Sequence, residues 1–179
     1  MLKRSILIPV GIILAAAMMR LVPHPWNVTP VAAMALFGGA CFDKRFLAFL
    51  VPLAAMAVSD ILLGLTTGWG IFHSTLPFVY GAFALTVVLG MLIRDRATPL
   101  RIGGATIAAT VLFFLVTNFG VWATQPLYPP TFEGLIACYV AALPFLLNSL
   151  LGNAFYVTLL FGGLEVIERR LATAREAGA

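Results

Sequence analysis

The chain has 179 residues, of which 61% are hydrophobic and only 10% are charged. A soluble domain carries about a quarter charged residues, so this chain has too few polar side chains to cover a surface in water. The net charge of +4 does not indicate nucleic-acid binding, because the charges form short clusters between apolar runs. Composition therefore predicts one all-α integral membrane domain over residues 1–179, in contact with the lipid bilayer and without a soluble domain attached.

Six apolar runs are long enough to cross a bilayer as helices. In chain order they cover residues 5–22, 26–42, 46–65, 76–93, 102–122 and 134–167. The second run is short and has Pro30 in its first turn, where proline is tolerated. The last run is long, and Pro144 and Gly152 predict that it is bent or broken. A cleaved signal peptide is the alternative for the first run, but a retained span fits the even count.

The lysines and arginines lie on one side of the membrane if the six runs alternate in direction. Arg20 is the exception among the 11 such residues. The others are Lys3, Arg4, Lys44, Arg45, Arg94, Arg96, Arg101, Arg169, Arg170 and Arg175. The positive-inside rule then places both termini in the cytoplasm and predicts a multi-pass membrane protein. The family resemblance given below implies the bacterial inner membrane.

The predicted outer side collects the residues that are best suited to contact a ligand. These are both histidines, all three tryptophans and three of the four tyrosines: His24, His73, Trp26, Trp69, Trp122, Tyr80, Tyr128 and Tyr139. An aromatic belt normally occupies both membrane interfaces. The one-sided distribution favours an outward-facing binding site, with a one-sided belt as the alternative.

Asp60 lies well inside the third run, near its outer end. An unpaired acid there costs about 2.5–3.5 kcal/mol on insertion scales, so we expect a partner or a water-filled cavity. Arg20 is the first candidate partner, and His24 or His73 is the next. A structural latch between Asp60 and Arg20 is compatible with a role in the wall of a binding site.

Two amides and one loop extend this predicted site. Asn118 shares a helix face with Trp122, and Asn148 follows the proline of the last run, where freed carbonyl groups would line a cavity. These amides, and Asn153 in particular, have hydrogen bonding between helices as the alternative role. The loop over residues 66–77 contains two glycines, Trp69 and His73, and predicts a mobile aromatic lid with one metal-capable nitrogen.

The sequence carries no motif that indicates an enzyme. A zinc-protease H-E-x-x-H, a P-loop and a G-x-S-x-G elbow are absent, and an intramembrane aspartic dyad would need a second acid. Cys41 and Cys138 lie on opposite predicted sides, which excludes a disulfide or a thiol redox pair. We therefore expect no enzymatic activity and no intrinsic cofactor.

Four stretches carry a resemblance to a known family. They are "RLVPHPWNVTPVAAMALFGGACF", "PLAAMAVSDILLG", "FFLVTNFGVW" and "ACYVAALPFLLNSLLGNAFY". The chain resembles small bacterial six-span proteins related to the S components of ECF transporters, and among characterised relatives the solitary cobalamin transporters of the BtuM type. The resemblance implies an S-component-like bundle that binds a vitamin or a metal ion at an outward-facing pocket.

The resemblance also implies roles for individual residues. His24 and Asp60 match a histidine and an aspartate that line the cobalamin pocket. A cysteine that binds cobalt in the following loop is missing here, which leaves His73 as the comparable donor and a candidate axial ligand of cobalt. Gly11 and Ala15 loosely match the small-residue face through which S components dock on an energising module.

Together these inferences predict a pocket for cobalamin or a related corrinoid, transported as a ligand. Its predicted residues are Asp60, Asn118 and Asn148 in the floor, Arg20, His24, Asn27 and Trp122 in the wall, and Trp69, His73 and Tyr80 in the lid. Trp26 is predicted at the rim. One alternative is an S component for another vitamin or a metal ion. The other is a membrane scaffold or assembly subunit whose outer loops bind a protein.

Overall fold

The chain is a bundle of α-helices in a computed structural model that describes residues 6–67 and 72–177. The helices are α1 (Leu7–Met19), α2 (Val31–Cys41), α3 (Arg45–Thr67), α4 (Leu76–Ile93), α5 (Pro99–Thr124) and α6 (Phe132–Ala177), with a 3₁₀ turn at Arg94–Arg96. No strand occurs within these two described ranges. The four helices α3 to α6 are long and apolar enough to cross a membrane, which confirms an all-helical membrane protein. The six-span count stays a prediction, because α1 and α2 are shorter.

Helix α2 forms the centre of the bundle, although its sequence predicted an ordinary span. Residues 31–40 are all buried, and α2 packs against each of the other five helices. Its 11 residues are only about 16 Å long. The prediction of a helix from residue 26 is wrong, because residues 21–30 form a non-helical connector. This connector contains Pro25 and Pro30, and Asn27 within it has a positive φ.

Glycines allow α2 to approach its neighbours backbone to backbone. A Cβ on Gly39 would lie 2.9 Å from the Cα of Gly90 in α4 and would overlap the carbonyl oxygen of Val87. A Cβ on Gly38 would overlap the ring of Pro52 in α3. Close packing of small residues is the main source of helix association in lipid, where no hydrophobic force joins the helices. The two adjacent glycines therefore fix α2 between α3 and α4.

Helix α6 is continuous over 46 residues, so the predicted break in the last span is absent. Pro144 lies inside this helix, and Gly152 packs against the backbone of Val28 in the connector. The glycine thus serves a close approach between chain segments and does not interrupt the helix. At about 69 Å, α6 is far longer than the hydrocarbon core of about 30 Å, and its charged C-terminal part extends beyond the apolar region.

The bundle has two chemically different ends, the histidine end and the arginine end. The histidine end holds Arg20, His24, His73 and Trp122. The arginine end holds Lys44, Arg45, Arg94, Arg96, Arg101, Arg169 and Arg170. At the arginine end, Arg94 donates hydrogen bonds to the carbonyl oxygens of Asp43 at 2.8 Å and Gly39 at 3.3 Å. These bonds satisfy carbonyl groups at the C-terminus of α2 and place a cation at the negative end of its dipole.

Candidate functional site

An ion pair between Arg20 and Asp60 lies at the histidine end. Nη2 of Arg20 is 2.6 Å from Oδ1 of Asp60, and the two side chains are only 11% and 18% exposed. Nη1 of Arg20 also donates to the hydroxyl of Ser59 and, at 3.3 Å, to the carbonyl oxygen of Met56. The first candidate partner of Asp60 is therefore confirmed. A charge-assisted pair of this kind neutralises an acid that lipid would not tolerate alone.

The side chain of Tyr80 bonds to the second oxygen of the same carboxylate. Its hydroxyl donates to Oδ2 of Asp60 at 2.8 Å, so both carboxylate oxygens accept a hydrogen bond. We call these three side chains the Arg20–Asp60–Tyr80 network. It joins the C-terminal end of α1 to α3 and α4, which is the structural latch expected from the sequence. Each oxygen of Asp60 thus accepts one hydrogen bond and retains a further lone pair for a ligand donor.

The two histidines do not bind Asp60. Nδ1 of His24 lies 2.6 Å from the carbonyl oxygen of Val22 within the connector. Nδ1 of His73 lies 2.8 Å from the hydroxyl of Thr75, which leaves Nε2 as the nitrogen for a metal. Both histidines are exposed. Exposed imidazoles with one engaged nitrogen are suited to contact a bound molecule, and the engaged nitrogen restricts the orientation of the ring.

The connector between α1 and α2 is anchored on α6. Nδ2 of Asn148 donates to the carbonyl oxygen of Trp26 at 3.2 Å, and Val28 packs against Gly152 one helical turn further along. Asn27 has a φ of 61°, a left-handed conformation that asparagine tolerates better than most residues. The side chain of Trp26 is 74% exposed. The structure thus gives Asn148 and Asn27 positions that shape the connector, with Trp26 directed outward.

Asn118 and Trp122 bond within the α5–α6 region and not to Asp60. Nδ2 of Asn118 donates to the carbonyl oxygen of Phe114 in its own helix at 2.8 Å. The indole N–H of Trp122 donates to the carbonyl oxygen of Pro129 at 3.0 Å. No hydrogen bond of the described residues joins the predicted floor residues to one another. The predicted floor is therefore distributed over three separate sets of contacts.

The predicted lid is described only in part. Trp69 and the two glycines beside it lie outside the described residues, so the prediction for Trp69 is not addressed. Phe72, which follows, is 87% exposed. In the described ranges no group of three His, Cys, Asp or Glu residues is arranged for a metal ion. A metal contact from this loop would therefore be a single bond from His73 and not a complete protein site.

The main cavity found in the described residues lies at the arginine end. It measures about 1060 Å³ and is lined by α5, α6, the C-terminal end of α2 and the 3₁₀ turn. A second void between α2, α5 and α6 leaves no space for water. Neither lies at the histidine end, where the sequence predicted a pocket. Sequence reasoning missed the arginine-end cavity, although the pairs Gly103–Gly104 and Gly162–Gly163 marked helix faces that lack side chains.

Comparison with known proteins places the chain in a family. Residues 1–175 match the model of a protein family described as a family of unknown function, DUF6580. The chain belongs to this family. No curated protein and no solved structure matches it. The resemblance to S components of ECF transporters therefore stays a prediction, and the function has to be argued from the site.

Proposed function

We propose that this protein is a substrate-binding membrane transport protein of the S-component type. In this proposal it has six spans with both termini in the cytoplasm of a bacterium, and its histidine end faces outward from the inner membrane. The substrate is a vitamin-type small molecule, with cobalamin or a related corrinoid as the first candidate. The observation that carries the proposal is the Arg20–Asp60–Tyr80 network, an intramembrane charge cluster at the end that also presents His24 and His73.

Binding in this proposal requires the connector of residues 21–30 to move. The two cavities described above lie elsewhere, and a corrinoid needs a site at the large end of the usual 300–1,000 Å³ range. The connector is held to α6 by one amide hydrogen bond from Asn148 and by packing of Val28. These few contacts can be exchanged for contacts with a ligand, as in other sites that close around their substrate.

Transport would draw its energy from a partner in this proposal. Gly11 and Ala15 are both exposed on α1, and no atom lies within 4 Å of a Cβ built on Gly11. A small-residue pair that is open to the lipid supports close contact with another transmembrane helix. An energising module is the candidate partner, and the proposal includes no enzymatic step, no intrinsic cofactor and no nucleic acid.

The test is titration of the purified protein with cobalamin and with cobinamide, followed by calorimetry and by the visible absorption of the corrin ring. We expect binding of at least one of them, with a change in the absorption of the cobalt centre that His73→Ala removes. His24→Ala is the comparison variant: as a predicted wall residue it should weaken binding, but at saturating ligand it should keep the change in absorption, because His24 is not the proposed axial ligand. Absence of binding at micromolar concentrations would reject the corrinoid, and the same titration with other vitamins and metal ions would test the remaining substrates.

A protein-binding role is the second candidate, and exposed aromatic and aliphatic side chains at the histidine end favour it. Trp26 is 74% exposed, and Phe72, Leu127 and Phe132 are 87%, 67% and 71% exposed. Apolar patches of this kind mark interaction surfaces. A photoreactive amino acid at position 26 would distinguish the two roles. A discrete protein adduct in intact membranes, together with absent binding of small molecules, supports a scaffold or assembly subunit.

A further inference from the structure

The groove between α5 and α6 at the arginine end is a large cavity that the proposed transport site does not use. Its volume is about 1060 Å³. Its walls are mainly apolar, with contributions from Ile102, Ile107, Leu150, Leu151, Val157 and Phe161. Ile107 and Leu151 are 56% and 61% exposed, so the groove is open along helices that face lipid. In a bilayer such a space is occupied by hydrocarbon, because water gains no hydrogen bonds from apolar walls.

The mouth of the groove carries charges of both signs. Arg94 lines it together with the carboxylates of Asp95, Glu165 and Glu168. No carboxylate of the described residues forms an ion pair with Arg94, and its Nε is buried without a hydrogen-bond partner there. Glu165 is an exposed residue that pairs with Arg169 at 2.5 Å. A guanidinium that bonds to two carbonyl oxygens but to no carboxylate of the described residues keeps its positive charge uncompensated. With several carboxylates beside it, it is complementary to a headgroup that has both a phosphate and an ammonium.

We propose that this groove binds one phospholipid with a zwitterionic ethanolamine headgroup. An acyl chain lies between α5 and α6, the phosphate faces the guanidinium of Arg94, and the ammonium faces the carboxylates at the mouth. Arginine suits phosphate because its planar fork offers several N–H donors and keeps its charge in an apolar setting. A headgroup without an ammonium would face Arg94 but would supply no positive charge to the carboxylate of Asp95, whereas Glu165 already pairs with Arg169. A second copy of this chain would bury the same carboxylates, which is unfavourable unless they are paired.

Two pairs of adjacent glycines provide matched variants. Gly103 and Gly162 line the groove, whereas Gly104 and Gly163 do not. No atom lies within 4 Å of a Cβ built on any of the four. Leucine at positions 103 and 162 therefore fills the groove, and leucine at 104 and 163 adds the same volume outside it. The space at all four Cβ positions is open, so we expect both double variants to fold.

The experiment is native mass spectrometry of the full chain, purified in mild detergent and mixed with equal amounts of phosphatidylethanolamine and phosphatidylglycerol. We expect one retained phosphatidylethanolamine on the unchanged protein and on Gly104→Leu/Gly163→Leu. Gly103→Leu/Gly162→Leu should retain roughly tenfold less, because added volume in a filled groove is unfavourable. Glu165→Gln should shift retention toward phosphatidylglycerol.

Three outcomes would overturn the proposal. Equal retention by the two glycine double variants would show that the lipid binds elsewhere. Equal retention of both lipids by the unchanged protein would remove the role of the ammonium. A dimer that dissociates only in Gly103→Leu/Gly162→Leu would show that a second copy occupies the groove. Arg94 is kept unchanged in all variants, because it also caps α2.

Discussion

The Arg20–Asp60–Tyr80 network shows how single residues make a charge compatible with lipid. Each oxygen of Asp60 accepts one hydrogen bond, and Arg20 bonds to the α3 backbone at Met56 as well as to the carboxylate. A lone acid or a lone base at this depth would be expensive. Arg20 and Asp60 therefore stabilise the fold only as a pair, because removing either one leaves the charge of the other uncompensated.

Asp60→Asn should destabilise the protein strongly. The substitution leaves the partly buried Arg20 without a counter-charge, and breaking a buried ion pair on one side costs about 3–5 kcal/mol. Tyr80→Phe is the matched control, because it removes one hydrogen bond to the same carboxylate at a cost of about 1.5–3 kcal/mol. Thermal unfolding in detergent, followed by tryptophan fluorescence, measures both. A greater loss in Tyr80→Phe than in Asp60→Asn would contradict the pairing.

Substitutions of Asn27 test whether the connector requires a left-handed backbone conformation at this position. Its φ of 61° costs a β-branched residue roughly 1–2 kcal/mol, whereas glycine adopts it freely. We therefore expect Asn27→Gly to retain the melting temperature and Asn27→Val to lower it. If Asn27→Gly abolished substrate binding without a change in stability, the asparagine side chain itself would be a contact, as the sequence predicted.

At the scale of helices, the crossing of α2 and α4 is the contact that places the buried centre of the bundle. Gly39 and Gly90 meet there, and each would collide with the partner's backbone if it carried a side chain. Backbone atoms cannot move aside as flexible side chains do, so the helices would have to separate. Packing is dense in protein interiors, and such a separation spreads to neighbouring contacts.

Gly90→Ala should therefore destabilise the bundle, by about 1–3 kcal/mol for overpacking. Gly81→Ala is the matched control in the same helix, since no atom lies within 4 Å of its Cβ position. There the change should be neutral or stabilising, because alanine is a better helix former than glycine by about 1 kcal/mol. The measurement is the midpoint of thermal unfolding in detergent. Equal unfolding midpoints for the two variants would contradict a close backbone contact between α2 and α4 at Gly90.

At the scale of the whole molecule, the distribution of charge sets the orientation in the membrane. Within residues 6–67 and 72–177, the arginine end holds most of the cations, and the histidine end holds Arg20 in an ion pair. With Cys41 and Cys138 replaced by alanine, single cysteines at Trp26 and Arg175 would report the two sides, since both positions are exposed. We expect a membrane-impermeant maleimide to label Trp26→Cys in intact cells and Arg175→Cys only after lysis. The reverse pattern would place the histidine end inside.

Several parts of the structure were predictable from sequence because they depend on local composition or on a single expensive residue. The bounds of α4 agree with the predicted run 76–93, since proline at its start and charges at its end define them. The partner of Asp60 was predictable because few cations were available at that end. For Asn148 the sequence left open a place beside a cavity and a hydrogen bond to a neighbouring helix, and it did not predict the bond to the carbonyl oxygen of Trp26 in the connector. A backbone partner far away in sequence leaves no local signal.

The sequence by itself determined that the chain is a helical membrane protein, where its charges collect and that Asp60 needs Arg20. These conclusions follow from the cost of polar groups in lipid, which each residue carries with it. Only the tertiary structure decided that short α2 is the buried centre, that α6 is unbroken and that the large groove lies at the arginine end. Helices that are apolar on every side look alike in sequence whether they face lipid or protein. Their places were set by backbone contacts at Gly39, Gly90 and Gly152, and by the contact of Gly38 with the ring of Pro52, between separate segments of the chain.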